Sequence, residues 1–196
     1  MLKFGMPTLI ETSSLEESSA LCRKLKLDFI ELNMNLPQYQ LAEIDIPYFK
    51  EIADKYDIFY TIHLDENLNI SDFNPYIAEG YRRTVTDTIE LAKKLSISVI
   101  NMHLSCGVYF TLPDSKIYLF SAYEDQYLKS MADFRAMCEN VTGNSDTMIC
   151  IENCDGFLGF QKDAINVLLE SPVFGLTFDI GHNHGCGDPW EEFNRI

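Results

Sequence analysis

Positive charge is scarce in this chain. Fifteen lysines and arginines stand against thirty aspartates and glutamates in 196 residues, a formal net charge of −15. A surface of that sign repels phosphate backbones at long range, which disfavours a nucleic-acid partner. The basic clusters RKLK (23–26) and YRRT (81–84) are short and read as helix surface. Long apolar runs are missing as well. No stretch approaches the roughly 18 to 20 residues needed to cross a bilayer, so no membrane span is expected. The opening segment MLKFGMPTLIETSS has no basic stretch followed by an apolar one, so no export signal is expected. The six cysteines form no CxxC pair, and without export they are expected as reduced thiols in a cytoplasmic protein. Neither GxGxxG nor a phosphate loop of the form GxxxxGK occurs, so a nucleotide-binding sheet has no local support.

What is present is patterned as a globular protein. Hydrophobic residues make up 46% of the chain, and its length suits one domain, 1–196, with a substantial core. Strand-like and helix-like segments alternate. FGMPTL (4–9) is a weak first strand, interrupted by Gly5 and Pro7. SSLEESSALCRKLKL (13–27) reads as a helix, with Ser13 or Ser14 as cap, acids in its first turn and bases in its last. Its expected buried stripe is Leu15, Ser19 or Ala20, Cys22 and Leu25. DFIELN (28–33) is a second strand, and a helix near 46–57 has Pro47 in its first turn. IFYTIHL (58–64) precedes the longest helical pattern, about 76–95, with Ile77, Tyr81, Val85, Ile89 and Ala92 at helical spacing.

SVINMHL (98–104) is the fourth strand. The aromatic segment 105–124 that follows is longer than a simple connection and suits a lid or binding loop. A helix at 124–140, a strand TMICIEN (147–153), a helix at 163–171 and a strand VFGLTFDIG (173–181) complete the alternation. A further helix start follows at DPWEEFNRI (188–196). Continuous apolar strands alternating with helices imply an α/β fold with a parallel sheet covered by helices.

The chemistry lies at the strand ends. His63, His103, Glu152 and Asp179 each close an apolar run, and His182 follows three residues after the last. Parallel strands of one barrel bring their C-terminal ends to a common mouth, where these groups suit a metal-centred site. An open doubly wound sheet would instead gather its ligands at one switch point. The imidazoles suit Zn or Mn, with Co and Fe also compatible, better than Mg. Glu31 ends DFIELN and either lines the pocket or forms an ion pair beneath it. Asn153 either orients Glu152 or satisfies the turn. Tyr109, Phe110, Tyr118, Phe120 and Trp190 are read first as core or lid packing, with stacking on a sugar ring as the alternative.

These residues resemble the xylose-isomerase-like TIM-barrel superfamily, which includes sugar isomerases and epimerases and the endonuclease IV group. The resemblance rests on DFIELN, on His63 in YTIHLDENLNI, on His103 in VINMHLSCG, on Glu152 in ICIEN, and on Asp179 and His182 in TFDIGH. It implies a (βα)-barrel with a divalent metal held by Glu152 and Asp179. Glu152 would also serve as a catalytic base in proton transfer at a metal-bound hydroxy-ketone of a small sugar or sugar phosphate. His182 would contact substrate in epimerase-like members or ligate a further metal in the endonuclease-like ones, and Glu31 and Asn153 are taken with it as substrate-binding positions. His63 and His103 match metal ligands of the endonuclease group, where the reaction is phosphodiester cleavage at abasic DNA. A non-catalytic remnant that keeps the pocket is the third reading.

A complete barrel of this type needs about 250 residues. The chain is therefore expected as an incomplete barrel of about six parallel strands, lacking a second catalytic glutamate. Two open sheet edges then predict a homo-oligomer that covers the open side, and weak or absent turnover.

Overall fold

Runs rich in Ile, Val, Phe and Tyr become strands, and the amphipathic stretches between them become helices. The computed structural model describes residues 2–154 and 157–186. Its first half runs β1 (Gly5–Pro7), α1 (Leu15–Lys24), β2 (Phe29–Asn33), α2 (Ile46–Tyr56), β3 (Phe59–His63), α3 (Pro75–Leu95) and β4 (Val99–Met102). Then come β5 (Tyr109–Thr111), β6 (Lys116–Tyr118), α4 (Leu119–Ala122), α5 (Glu124–Thr142), β7 (Met148–Glu152), α6 (Gly159–Leu169), β8 (Phe174–Thr177) and α7 (Ile180–Cys186).

Six strands form one parallel sheet in the order β1-β2-β3-β4-β7-β8. Sequence neighbours are spatial neighbours, as in a barrel wall. Among the described residues β1 and β8 are not paired with each other, so the wall is an open arc, the incomplete barrel expected. The helices follow the arc in series: α1 packs on α2, α2 on α3, α3 on α5 and α5 on α6.

Register and alternation sort the side chains. Glu31 lies beside Thr61, His63 beside Asn101, Asn101 beside Cys150, and Glu152 beside Thr177. Successive strand residues point to opposite faces, so these share the inner, concave face. Ile30, Leu32, Ile62, Ile100, Met102, Ile149 and Ile151 take the opposite face, toward the helices, and all are fully buried. Each such side chain contributes about 1.5–3 kcal/mol relative to exposure. The burial of this layer fixes the register, and a one-residue slip would put the polar set into the core.

Caps set the helix ends. Ser14 accepts from the Glu17 N–H, while the Ser13 N–H and hydroxyl donate back to Glu17. Asp45 and Asn74 cap α2 and α3, each followed by proline in the first turn. Arg82 is no free surface charge: it donates to the Ile70 carbonyl and to Ser130, tying α3 to α5.

Several sequence expectations need correction. Leu25 is exposed, and the α1 stripe is Leu15, Ser18, Ser19 and Cys22. The α3 stripe starts at Ala78, leaving Ile77 exposed. Segment 105–124 folds as the antiparallel hairpin β5–β6 followed by α4. Helix α6 begins at Gly159 rather than 163, because Gln161 supplies the cap: its Oε1 accepts from the Leu158 N–H. Strand β8 ends at Thr177, so Asp179 stands just beyond it. The helix expected after Asp188, and Trp190 with it, lie outside the described residues.

Candidate metal centre

Three strand ends and one short helix meet at the mouth. His63 is the last residue of β3, His103 follows β4 directly, and Glu152 is the last residue of β7. Asp179 and His182 come from the turn after β8 and the first turn of α7. Glu152 is 5% exposed and sits at the middle. Its Oε2 lies 3.3 Å from His63 Nε2. Its Oε1 lies 3.3 Å from His182 Nε2 and 3.7 Å from His103 Nε2. The His63 and His103 rings meet edge to face at 4.9 Å, and His103 and His182 at 5.5 Å. Ligand atoms of His63, His103 and Glu152 lie within 4.8 Å of one another, and so do those of Glu152, Asp179 and His182.

Neighbouring groups hold these ligands in place. His63 Nδ1 lies 2.8 Å from the Leu64 carbonyl, which fixes a proton on Nδ1 and turns Nε2 toward Glu152. Asn153 uses both ends of its buried amide on the Asp179 backbone. Its Nδ2 donates to the Asp179 carbonyl at 3.0 Å, and its Oδ1 accepts from the Asp179 N–H at 2.6 Å. Asp179 Oδ1 in turn accepts from the His182 N–H at 2.6 Å, so one carboxylate oxygen caps α7.

Burial raises the cost of charge on Glu152, yet the His103 and His63 imidazoles outweigh it and hold the carboxyl down at about 2. Burial also opposes charge on His63. Hydrogen bonds to Glu152 and the Leu64 carbonyl, with the charges of Glu152 and Glu31, nevertheless hold its pKa above the ordinary value.

The donor set fits a divalent cation. With Nδ1 protonated, His63 Nε2 and a Glu152 oxygen are two electron-rich atoms at 3.3 Å, which need a proton or a cation between them. His103 Nε2 is buried with no hydrogen-bond partner, since 3.7 Å to Glu152 is too long for one. A buried imidazole nitrogen with no hydrogen-bond partner, aimed at a carboxylate, suits a metal ligand. Glu152 belongs to both triads, so it could bridge two ions.

Glu31 and Asn153 fall outside both triads. Glu31 lies on the inner face of β2, where Asn101 Nδ2 donates to its Oε2. Asn101 Oδ1 accepts from Thr177 Oγ1 at 2.6 Å, so one amide links β2, β4 and β8 beneath the centre. Sequence reasoning missed Asn101, although its position two residues before His103 places it on the same face. Phe120 is core: it is buried and stacks on Tyr127 at 4.3 Å. Tyr109 and Phe110 are exposed on the hairpin.

A parallel β/α wall with imidazole and carboxylate groups gathered at its strand C-termini is a barrel-type candidate metal site. The chain belongs to the xylose isomerase-like TIM-barrel family, whose model matches residues 19–196. It is 26% identical over 203 aligned positions to an uncharacterised protein of Methanocaldococcus jannaschii, MJ1311, covering 100% of this chain and 66% of that one. The chain thus spans about two thirds of that relative's length. A D-tagatose 3-epimerase-like protein overlays with a TM-score of 0.74 at 24% identity, over 100% of this chain and 71% of its own. The IolI protein with a bound zinc atom overlays at 0.73 and 18% identity, over 100% and 69%. No helix among the described residues is long and apolar enough to cross a membrane.

Proposed function

We propose that this chain carries the metal centre of a sugar isomerase or epimerase, which moves a proton at a carbon next to a carbonyl. The observation that carries this is the convergence of His63, His103 and His182 on one buried, ionised carboxylate, Glu152. Glu152 and Asp179, with His63 and His103, would hold a divalent ion, Zn or Mn first among the candidates. Such an ion would supply Lewis acidity to a carbonyl and its adjacent hydroxyl, acidifying the C–H on the hydroxyl-bearing carbon. Glu152 is ionised across the physiological range and is the base nearest that position. His182, the most exposed of the three imidazoles, and Glu31, on the inner face of β2, would contact the sugar's hydroxyls. Asn153 contributes by holding the Asp179 backbone to β7. The D-tagatose 3-epimerase-like neighbour and the zinc-bound IolI neighbour support this reading.

Proton abstraction by Glu152 would exchange a ketose C–H with solvent, so deuterium uptake at that C–H is expected. Incubating the Mn²⁺-loaded chain with ketoses in D₂O and following the C–H signals by NMR tests this. No uptake with any ketose, in a chain shown to bind metal, would reject it.

The second reading is phosphodiester cleavage of the endonuclease IV type. Its support is specific: both early imidazoles, His63 and His103, face the carboxylate as ligands would. The charge of −15 opposes it. Salt-sensitive, tight binding of abasic DNA by the metal-loaded chain would reverse the order.

A further inference from the structure

A cavity of about 320 Å³ opens beside the metal centre, and His103 lines both. At roughly 30 Å³ per water, it holds about ten waters, the space of one further sugar-sized ring. The cavity is built rather than incidental. Gln161 Nε2 donates to the Leu104 carbonyl at 2.7 Å while its Oε1 accepts from the Leu158 N–H, stapling the loop after β4 to the start of α6. Its lining includes apolar side chains, Leu104, Phe157 and Leu158, and polar ones, the Glu66 carboxylate, the Tyr118 hydroxyl and Ser105, whose Oγ accepts from the Gly107 N–H.

A lining of both kinds suits a pyranose ring, which has an apolar C–H face and a rim of hydroxyls. It does not match a phosphate. No lysine or arginine is among the described lining residues, and Glu66 places a negative charge at the rim. A dianion held there would meet the Glu66 carboxylate within a Debye length and no lysine or arginine among the described lining residues.

Building on the metal-centred sugar chemistry above, we propose that this cavity is a subsite for an uncharged second ring, so that the substrate is a neutral glycoside and not a sugar phosphate. Two thiols report on its occupancy, since Cys106 and Cys154 both line it while Cys22 and Cys138 are buried in the core.

The experiment uses the full Mn²⁺-loaded chain with lactulose, D-fructose or D-fructose 6-phosphate. The rate of iodoacetamide alkylation at each cysteine is read by peptide mass spectrometry, and binding heat by calorimetry. Lactulose is expected to slow alkylation of Cys106 and Cys154 several-fold. D-fructose is expected to bind without slowing either, and the phosphate to bind no tighter than fructose. Leu158→Lys, at an exposed wall position, is expected to weaken lactulose and strengthen the phosphate. Lactulose binding with both thiols unprotected, or thiol protection by the phosphate, overturns the subsite while leaving the sugar reading intact. No heat from any of the three sugars overturns both.

Discussion

Replacing Glu152 with glutamine removes the charge on which three imidazoles converge, and the effect on the metal-free chain can be worked out. The carboxyl is held at about 2 against an ordinary 4.5. At ~1.4 kcal/mol per tenfold change in proton affinity, that is about 3 kcal/mol of folded-state stabilisation, shared with the histidines. Its folded value lies below the unfolded one, so the contribution is present above pH 4.5 and fades as pH falls toward 2. His63 runs the other way. Its folded value lies above 6.5, so its share is complete below 6.5 and is lost as pH rises through the folded value. The stability gap between wild type and Glu152→Gln, measured by urea unfolding in chelator, should therefore peak between about pH 4.5 and 6.5. Metal inverts the upper limb, because ligation needs neutral imidazoles. Mn²⁺ should stabilise the wild type by about 2.7 kcal/mol where it stands at about 100 times its Kd, and at one fixed Mn²⁺ concentration the gain should grow from pH 5 to 8. Superimposable pH profiles for the two proteins, or equal stabilisation of both by metal, would refute the assignment of Glu152.

Asn153→Ala leaves the Asp179 N–H and carbonyl without their buried partners. It should cost about 2 kcal/mol in chemical denaturation and weaken metal binding about 10- to 100-fold by calorimetry. Gly175→Val should destabilise by about 1–3 kcal/mol, since even a Cβ at Gly175 would lie 2.7 Å from Met148 Sδ; an unchanged thermal midpoint would count against the β7–β8 packing. The exposed inner face includes Phe59 and Met148, and β1 and β8 leave unpaired edges among the described residues. The chain should associate through that side, and a monodisperse monomer in light scattering would disprove it.

Much of this was readable in advance, for a definite reason. In a parallel sheet covered by helices, strands are continuous apolar runs, so DFIELN, YTIH, VINMH and ICIE announce themselves. His63, His103 and Glu152 are conspicuous because each ends such a run. The hairpin β5–β6 was not legible, because its strands are three residues long and exposed, which leaves no alternation to detect. The start of α6 was hidden because a buried glutamine, not a Ser, Thr, Asp or Asn, supplies the cap. The Glu31–Asn101–Thr177 chain needs three strands in register, information that no local window holds. The clamp of Asn153 on the Asp179 backbone is likewise a contact between residues 26 apart.

Glu152 serves two triads with a single negative charge, Oε2 toward His63 and Oε1 toward both His103 and His182. A cation on one triad spends charge that the other also needs, and two cations on one carboxylate repel. Loading of such a pair would be anti-cooperative. At limiting metal each molecule would fill one position before any filled two, and activity plotted against metal added would show two separate steps.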